Sequence, residues 1–177
     1  MIPLGPFNGK NFGTSLSPWV VTVDALSPFQ TKGPPQEPPI ASYLVDSENG
    51  TYSVDMEVEL LIGEESTTVT KSNTDVCYWN IRQMITHVVS AGSGLRTGDL
   101  IAIGTISGPE RASVACLMEY TEGGKNPLEL PGGMKRAYLE DGDIVRITAI
   151  AGGGESGVGF GECIGQLLPS RQLHTKL

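Results

Sequence analysis

In "TYSVDMEVELLIG" apolar and acidic positions alternate. Val54, Met56, Val58 and Leu60 face one way, and Asp55, Glu57 and Glu59 the other. A period of two predicts a half-buried strand. The Asn-Gly pair of "SENGTY" predicts a turn ahead of it, and "STTVTKS" reads as a short partner strand, so the two form a hairpin. "WVVTVDAL", residues 19–26, is rich in β-branched side chains and reads as another strand. So do "DLIAIGT", "VACLMEYT", "DIVRITAIA" and "GFGECIGQLL", with an Asp-Gly-Asp turn signal at 141–143. A different period governs "TDVCYWNIRQMITHVVSA", residues 74–91. Its apolar positions 77, 78, 81, 84, 85, 88 and 89 fit 3.6 residues per turn and predict a helix. Ser72, Asn73 or Thr74 can cap it, and Gly92 or Gly94 can end it. "TKGPPQEPPIAS", residues 31–42, holds four prolines and reads as an irregular connector. The sum is a mainly β chain with one substantial helix, an α+β class with a rolled or sandwiched sheet and no internal repeat.

The length of 177 residues suits one domain with a real core. Gly at 23 and Pro at 12 favour many turns and short strands. With 20 acidic against 12 basic residues the net charge is −8, which disfavours nucleic acid and anionic membranes as partners. No run approaches the roughly 20 apolar residues of a membrane span. The opening "MIPLGPFNGK" lacks the basic start and apolar stretch of a secretory signal. Cys77, Cys116 and Cys163 form no CxxC pair, so buried thiols in a reducing cytosol are expected. The polar tail, 171–177, is expected to fray, with His174 inert.

Few residues offer chemistry. "GPFNGKNFGTSLSPW" contains a Gly-Lys pair, but a phosphate-binding loop needs four residues between its glycines and a Ser or Thr after the lysine. Here Gly5 and Gly9 are separated by three, and Asn11 follows Lys10. No H-E-x-x-H or G-x-S-x-G is present. Two segments stand out: the opening loop with Lys10 and Thr14, and "GTISGPE", residues 104–110. In the second, Gly104, Gly108 and Pro109 permit close backbone approach, and Thr105 and Ser107 can donate hydrogen bonds. An ordinary connection with its hydroxyls capping local backbone explains the same residues. Glu119, flanked by apolar residues in "CLMEYT", either faces outward or is buried and available for acid–base work. Glu57 and Glu59 have an inviting E-x-E spacing for a metal, but alternation on a solvated strand face accounts for them. His87 lies beside the apolar stripe of the helix, where a hydrogen-bonded structural role competes with a catalytic one.

"PLGPFNGKNFGTSLSPWVVTVDALSPF", "LRTGDLIAIGTISGPE", "DGDIVRITAI" and "GVGFGECIGQLLPS" together resemble the fumarylacetoacetase family, from residue 2 to about 170. The resemblance implies that residues 1–170 are the later part of that family's catalytic domain. It implies hydrolysis of the carbon–carbon bond of 4-fumarylacetoacetate, a diketo acid, to fumarate and acetoacetate in tyrosine and phenylalanine catabolism. It implies a cytoplasmic homodimer that uses a divalent ion, Mg2+ or Ca2+. It assigns Lys10 to stabilising developing negative charge beside the metal site, with Thr14 at that site's edge. Thr105 matches a substrate-binding residue, and Glu119 the glutamate that partners the catalytic histidine.

The family's catalytic histidine, metal carboxylates and SH3-like domain are expected upstream of the lysine loop. Neither His87 nor His174 matches that histidine, and Glu57 and Glu59 do not match the carboxylates. Two other outcomes stay open: a non-catalytic fragment that folds or associates, and an acylpyruvate hydrolase-like relative.

Overall fold

The computed structural model describes residues 13–154 and 157–171. Lys10, His174 and all but the first residue of the 171–177 tail lie outside that range. The elements in chain order are α1 (Val23–Leu26), β1 (Gln30–Lys32), β2 (Gly50–Tyr52), β3 (Asp55–Ile62), β4 (Glu65–Asn73), α2 (Ile81–Ser90), α3 (Leu117–Tyr120), β5 (Leu128–Glu129), β6 (Lys135–Arg136), β7 (Ile144–Ala151) and β8 (Val158–Gln166). Short 3₁₀ turns punctuate them. The main sheet is antiparallel in the order β4-β3-β7-β8, and β1-β2 and β5-β6 form two small ladders. The α+β class expected from the sequence is the observed one.

The alternation of β3 does what its period demands. Leu60 is 3% exposed and Val54 6%, while Asp55 and Glu59 lie on the other face. Burying a leucine of this kind stabilises the fold by about 1.5–3 kcal/mol. Two apolar clusters cover the ends of the sheet. Leu26, Val54 and Ala151 pack with Phe29, Met56 and Ala149 at one end. Leu60, Leu128 and Leu130 pack with Leu117, Tyr120 and Val145 at the other. Between them Ile147, opposite Val58 and Cys163 in the ladders, remains 40% exposed. The turns also follow the sequence. Asn49 adopts φ 40°, and the Asp-Gly-Asp turn puts Gly142 at φ 98°.

Three predicted strands and one helix boundary are corrected. Residues 19–22 of "WVVTVDAL" have no regular structure, and 23–26 are α1. The Thr22 side chain accepts from the Ala25 amide and Leu26 drops into the core, so a capped turn prevails over β-branching. "VACLMEYT" holds α3, not a strand. Its Leu-Met-Glu run suits a helix, and the Tyr120 and Thr121 amides donate to the Cys116 and Leu117 carbonyls. "DLIAIGT" joins no ladder among the described residues. Ile101 and Ile103 instead line an apolar hollow against Met84 and Val88 of α2.

The helix predicted over 74–91 is shorter. Asn73 caps a separate 3₁₀ turn, Thr74–Val76, and Cys77 and Tyr78 lie outside any helix. The α2 cap is Asn80, in a capping box with Gln83, an arrangement worth about 1 kcal/mol. Gly92, at φ 88°, follows the helix end as expected. The three cysteines are free thiols.

Candidate functional site

The segment 104–110 is shaped by one glycine and one serine. The Gly108 amide donates to the Ser113 carbonyl at 2.9 Å. A Cβ on Gly108 would come within 2.5 Å of Ser113 Oγ, so no larger residue fits without displacing that hydroxyl. Ser113 Oγ in turn accepts from the Glu110 amide at 3.2 Å, closing a turn over Arg111–Ser113. Thr70 of β4 anchors that turn by donating to the Ala112 carbonyl at 3.0 Å. The chain therefore doubles back and lays Ser107 and Gly108 beside 113–119.

Ser107 ties the two arms together. Its Oγ accepts from the Ala115 amide at 3.1 Å and donates to Glu119 Oε2 at 2.7 Å. The backbone N–H occupies a lone pair, which aims the hydroxyl proton at the carboxylate. Glu119 is exposed on α3, the outward-facing alternative of the two open for it. Thr105, two residues before Ser107, is also exposed and makes no side-chain hydrogen bond among the described residues. The sequence had singled out the loop and Glu119 separately. Their connection through Ser107 spans twelve residues and follows no helical or strand period, so no local pattern could reveal it.

Gly108 and Pro109 also wall a cleft of about 510 Å3, completed by residues of β3, β4 and β7 including Glu57, Lys71, Ser72 and Thr148. Ser72 Oγ is buried there without a hydrogen-bond partner among the described residues.

Thr14 is exposed in a stretch that tracks β8. Ser15 Oγ abuts Gly165, Ser17 Oγ donates to the Phe160 carbonyl at 3.3 Å, and the Trp19 ring covers Gly161. Gly161 has φ 68°, and a side chain there would collide with the indole. No hydrogen bond joins Thr14 to Thr105 or Glu119 among the described residues. Lys10 lies outside them.

The remaining titratable candidates are committed elsewhere. Glu59 takes a two-pronged contact from Arg146 at 2.7 and 2.8 Å and a hydroxyl from Ser66 at 2.9 Å. The guanidinium holds its carboxyl below the usual range, with Ser66 assisting. Glu57 accepts from Thr68 at 2.6 Å and pairs with Lys71 at 3.2 Å, and the hydroxyl and then the ammonium lower its carboxyl likewise. Both lie on the polar face of β3 that alternation predicts, and there they are paired with Lys71 and Arg146. His87 is exposed, with its Nδ1 3.2 Å from the Tyr43 hydroxyl. Burial, and then the Asp75 charge, push the Cys77 thiol up, away from a reactive thiolate.

A hard divalent cation needs about six oxygen ligands. Among the described residues no three His, Cys, Asp or Glu side chains are grouped to hold a metal ion. Thr14, Thr105 and Glu119 do not by themselves make such a site. Nor is any described helix long and apolar enough to cross a membrane.

The comparisons agree with the residues. A family profile described as "Fumarylacetoacetate (FAA) hydrolase C-terminal" matches residues 1–167. A fumarylacetoacetase of Arabidopsis thaliana is 46% identical over 171 residues, 96% of this chain and 40% of its own length. That of Homo sapiens is 44% identical over 172 residues, 96% of this chain and 41% of its own. That of Emericella nidulans is 44% identical over 176 residues, 97% of this chain and 41% of its own. The chain thus spans about two fifths of the length of these relatives. A profile covering nearly every residue, together with identity this high over at least 96% of the chain, places the chain in the fumarylacetoacetate hydrolase family, in its C-terminal portion.

Proposed function

We propose that this chain is the C-terminal part of a fumarylacetoacetase that hydrolyses the carbon–carbon bond of 4-fumarylacetoacetate to fumarate and acetoacetate. The observation that carries this reading is the Ser107–Glu119 hydrogen bond, which joins the Thr105 loop to the Glu119 carboxylate at 2.7 Å. In this reading Glu119 partners a histidine that activates water, and Thr105 binds the diketo acid. Lys10 stabilises the charge that develops as the bond breaks, a contact stronger in the transition state than in the ground state. Thr14 lies at the edge of a site for Mg2+ or Ca2+, whose carboxylates come from another part of the protein. A cytoplasmic homodimer acting in tyrosine and phenylalanine catabolism completes the reading.

A second reading, a non-catalytic module of the same family, is favoured by one observation: no metal-holding group occurs among the described residues. An acylpyruvate hydrolase-like substrate is the third. A chimera separates them. The remaining three fifths or so of the Arabidopsis relative are joined to this chain, and the absorbance of fumarylacetoacetate and of an acylpyruvate is followed. Metal-dependent turnover of fumarylacetoacetate, lost in Glu119→Gln, supports the proposal. A folded chimera without turnover supports the module, and preference for the acylpyruvate supports the relative.

A further inference from the structure

We propose that the hollow formed by Arg111, Tyr120, Lys125, Asn126, Glu129 and Lys135 is a binding site for a small dianion with oxygen ligands, a dicarboxylate or a phosphate. This inference is independent of the proposed activity. The hollow, about 670 Å3, gathers three cations against one carboxylate in a chain of net charge −8. The cations reach it from three places: the 3₁₀ turn at Arg111–Ser113, the turn after α3, and β6.

Arg111 is held in place by an aromatic ring. Its guanidinium carbon sits 4.6 Å from the Tyr120 ring centroid, so stacking occupies the face of the group and leaves its N–H edge open for a bidentate oxyanion. Lys125 is held by its neighbours. Thr121 is fully buried, the Gly124 amide donates to its hydroxyl at 3.0 Å, and the Asn126 amide donates to its carbonyl at 2.9 Å. The backbone on both sides of Lys125 is thereby fixed. Lys135 is neutralised by Glu129 at 2.9 Å, on the rung that pairs β5 with β6.

Arg111 and Lys125 have no carboxylate partner among the described residues, whereas Lys71, Arg82, Lys135, Arg136 and Arg146 all do. Two cations without a carboxylate partner favour a doubly charged ligand, although the Asn126 side-chain amide at the hollow already donates to Glu122 at 2.9 Å. A fork beside a point charge suits two oxygens of one group and a third beyond them. Both chemistries, carboxylate and phosphate, offer that arrangement.

The test is a titration of the 177-residue chain at low ionic strength, read by amide NMR shifts, with inorganic phosphate, with succinate, and with sodium chloride at matched ionic strength. Saturating shifts at Gly124, Lys125 and Asn126 are expected with phosphate, succinate or both, and which of them saturates identifies the source. Lys125→Ala, whose side chain is exposed, and Arg111→Lys, which keeps the charge but loses the fork, should each weaken binding about 10-fold. No saturation with either dianion, an equal response to chloride, or unchanged affinity in both variants overturns the proposal.

Discussion

Two apolar stretches of the chain meet different fates. Residues 55–62 run between β4 and β7, and none of their apolar side chains is exposed. Residues 95–103 carry Leu95, Leu100, Ile101 and Ile103, which stay 43%, 78%, 40% and 48% exposed. Hydrophobicity is similar; the neighbours are not. A strand is stable when another strand takes its backbone hydrogen bonds and another surface takes its side chains. β3 has both, and the second stretch has part of one helix. The polar groups divide in the same way. On the sheet, Glu57 and Glu59 are closed by Lys71 and Arg146. Thr105, on the loop that follows 103, and Glu119, on α3, stay open to solvent.

The largest effect should come from the buried side. Leu60→Ala is expected to destabilise the chain by about 2–5 kcal/mol, and Leu100→Ala to change it by less than about 0.5 kcal/mol, both read by urea unfolding. Equal costs would break the comparison, because they would mean that residues 95–103 are packed as well as β3.

Asp143 sharpens the closed half. It is 2% exposed, and Arg136 donates to it at 2.8 and 3.0 Å. Burial pushes its carboxyl up, but the Arg136 guanidinium and the Glu140 amide outweigh that and hold it below the usual range. A depressed carboxyl contributes stability that is complete above its unfolded value, near 3.9, and is lost as pH falls through its folded value. Asp143→Ala should cost about 3 kcal/mol at neutral pH, and its stability should fall less steeply than the parent's in acid. An acid limb as steep as the parent's would remove Asp143 from the account.

Lys10→Ala in the chimera should lower kcat about 10²-fold if the ammonium stabilises developing charge. An unchanged kcat would remove that role. Ser107→Ala should lower kcat about tenfold with little change in KM if Ser107 acts by orienting Glu119, to which it donates. Ser107→Thr should restore most of the loss. A rise in KM with constant kcat would instead make Ser107 a substrate contact.

The sheet was legible because its signals are local. The alternation of Val54 to Leu60, the Asn-Gly and Asp-Gly turns, and the branched run 144–150 each state their structure within a few residues. α1 and α3 were not, because single turns of four residues carry no period to read. The start of α2 was missed because Asn73 and Asn80 are both good caps, and only the reciprocal bond of Gln83 distinguishes them. Gln83 further donates to Gln36 and to the Leu44 carbonyl, contacts of 47 and 39 residues' separation. The candidate site divides similarly. Thr105, Ser107, Gly108 and Glu119 could be named from the sequence, but that Ser107 binds Glu119 depends on how the chain doubles back at Gly108.

We propose that this chain carries loop residues of a hydrolytic site whose cation ligands lie elsewhere in the protein; among the described residues no three His, Cys, Asp or Glu side chains are grouped to hold a metal ion. The direct measurement is the absorbance decay of fumarylacetoacetate with the purified 177-residue chain, shown to be folded by circular dichroism, with and without added magnesium or calcium. The account predicts no decay under either condition. Metal-dependent decay would contradict it and would mean that residues of this chain complete the metal site.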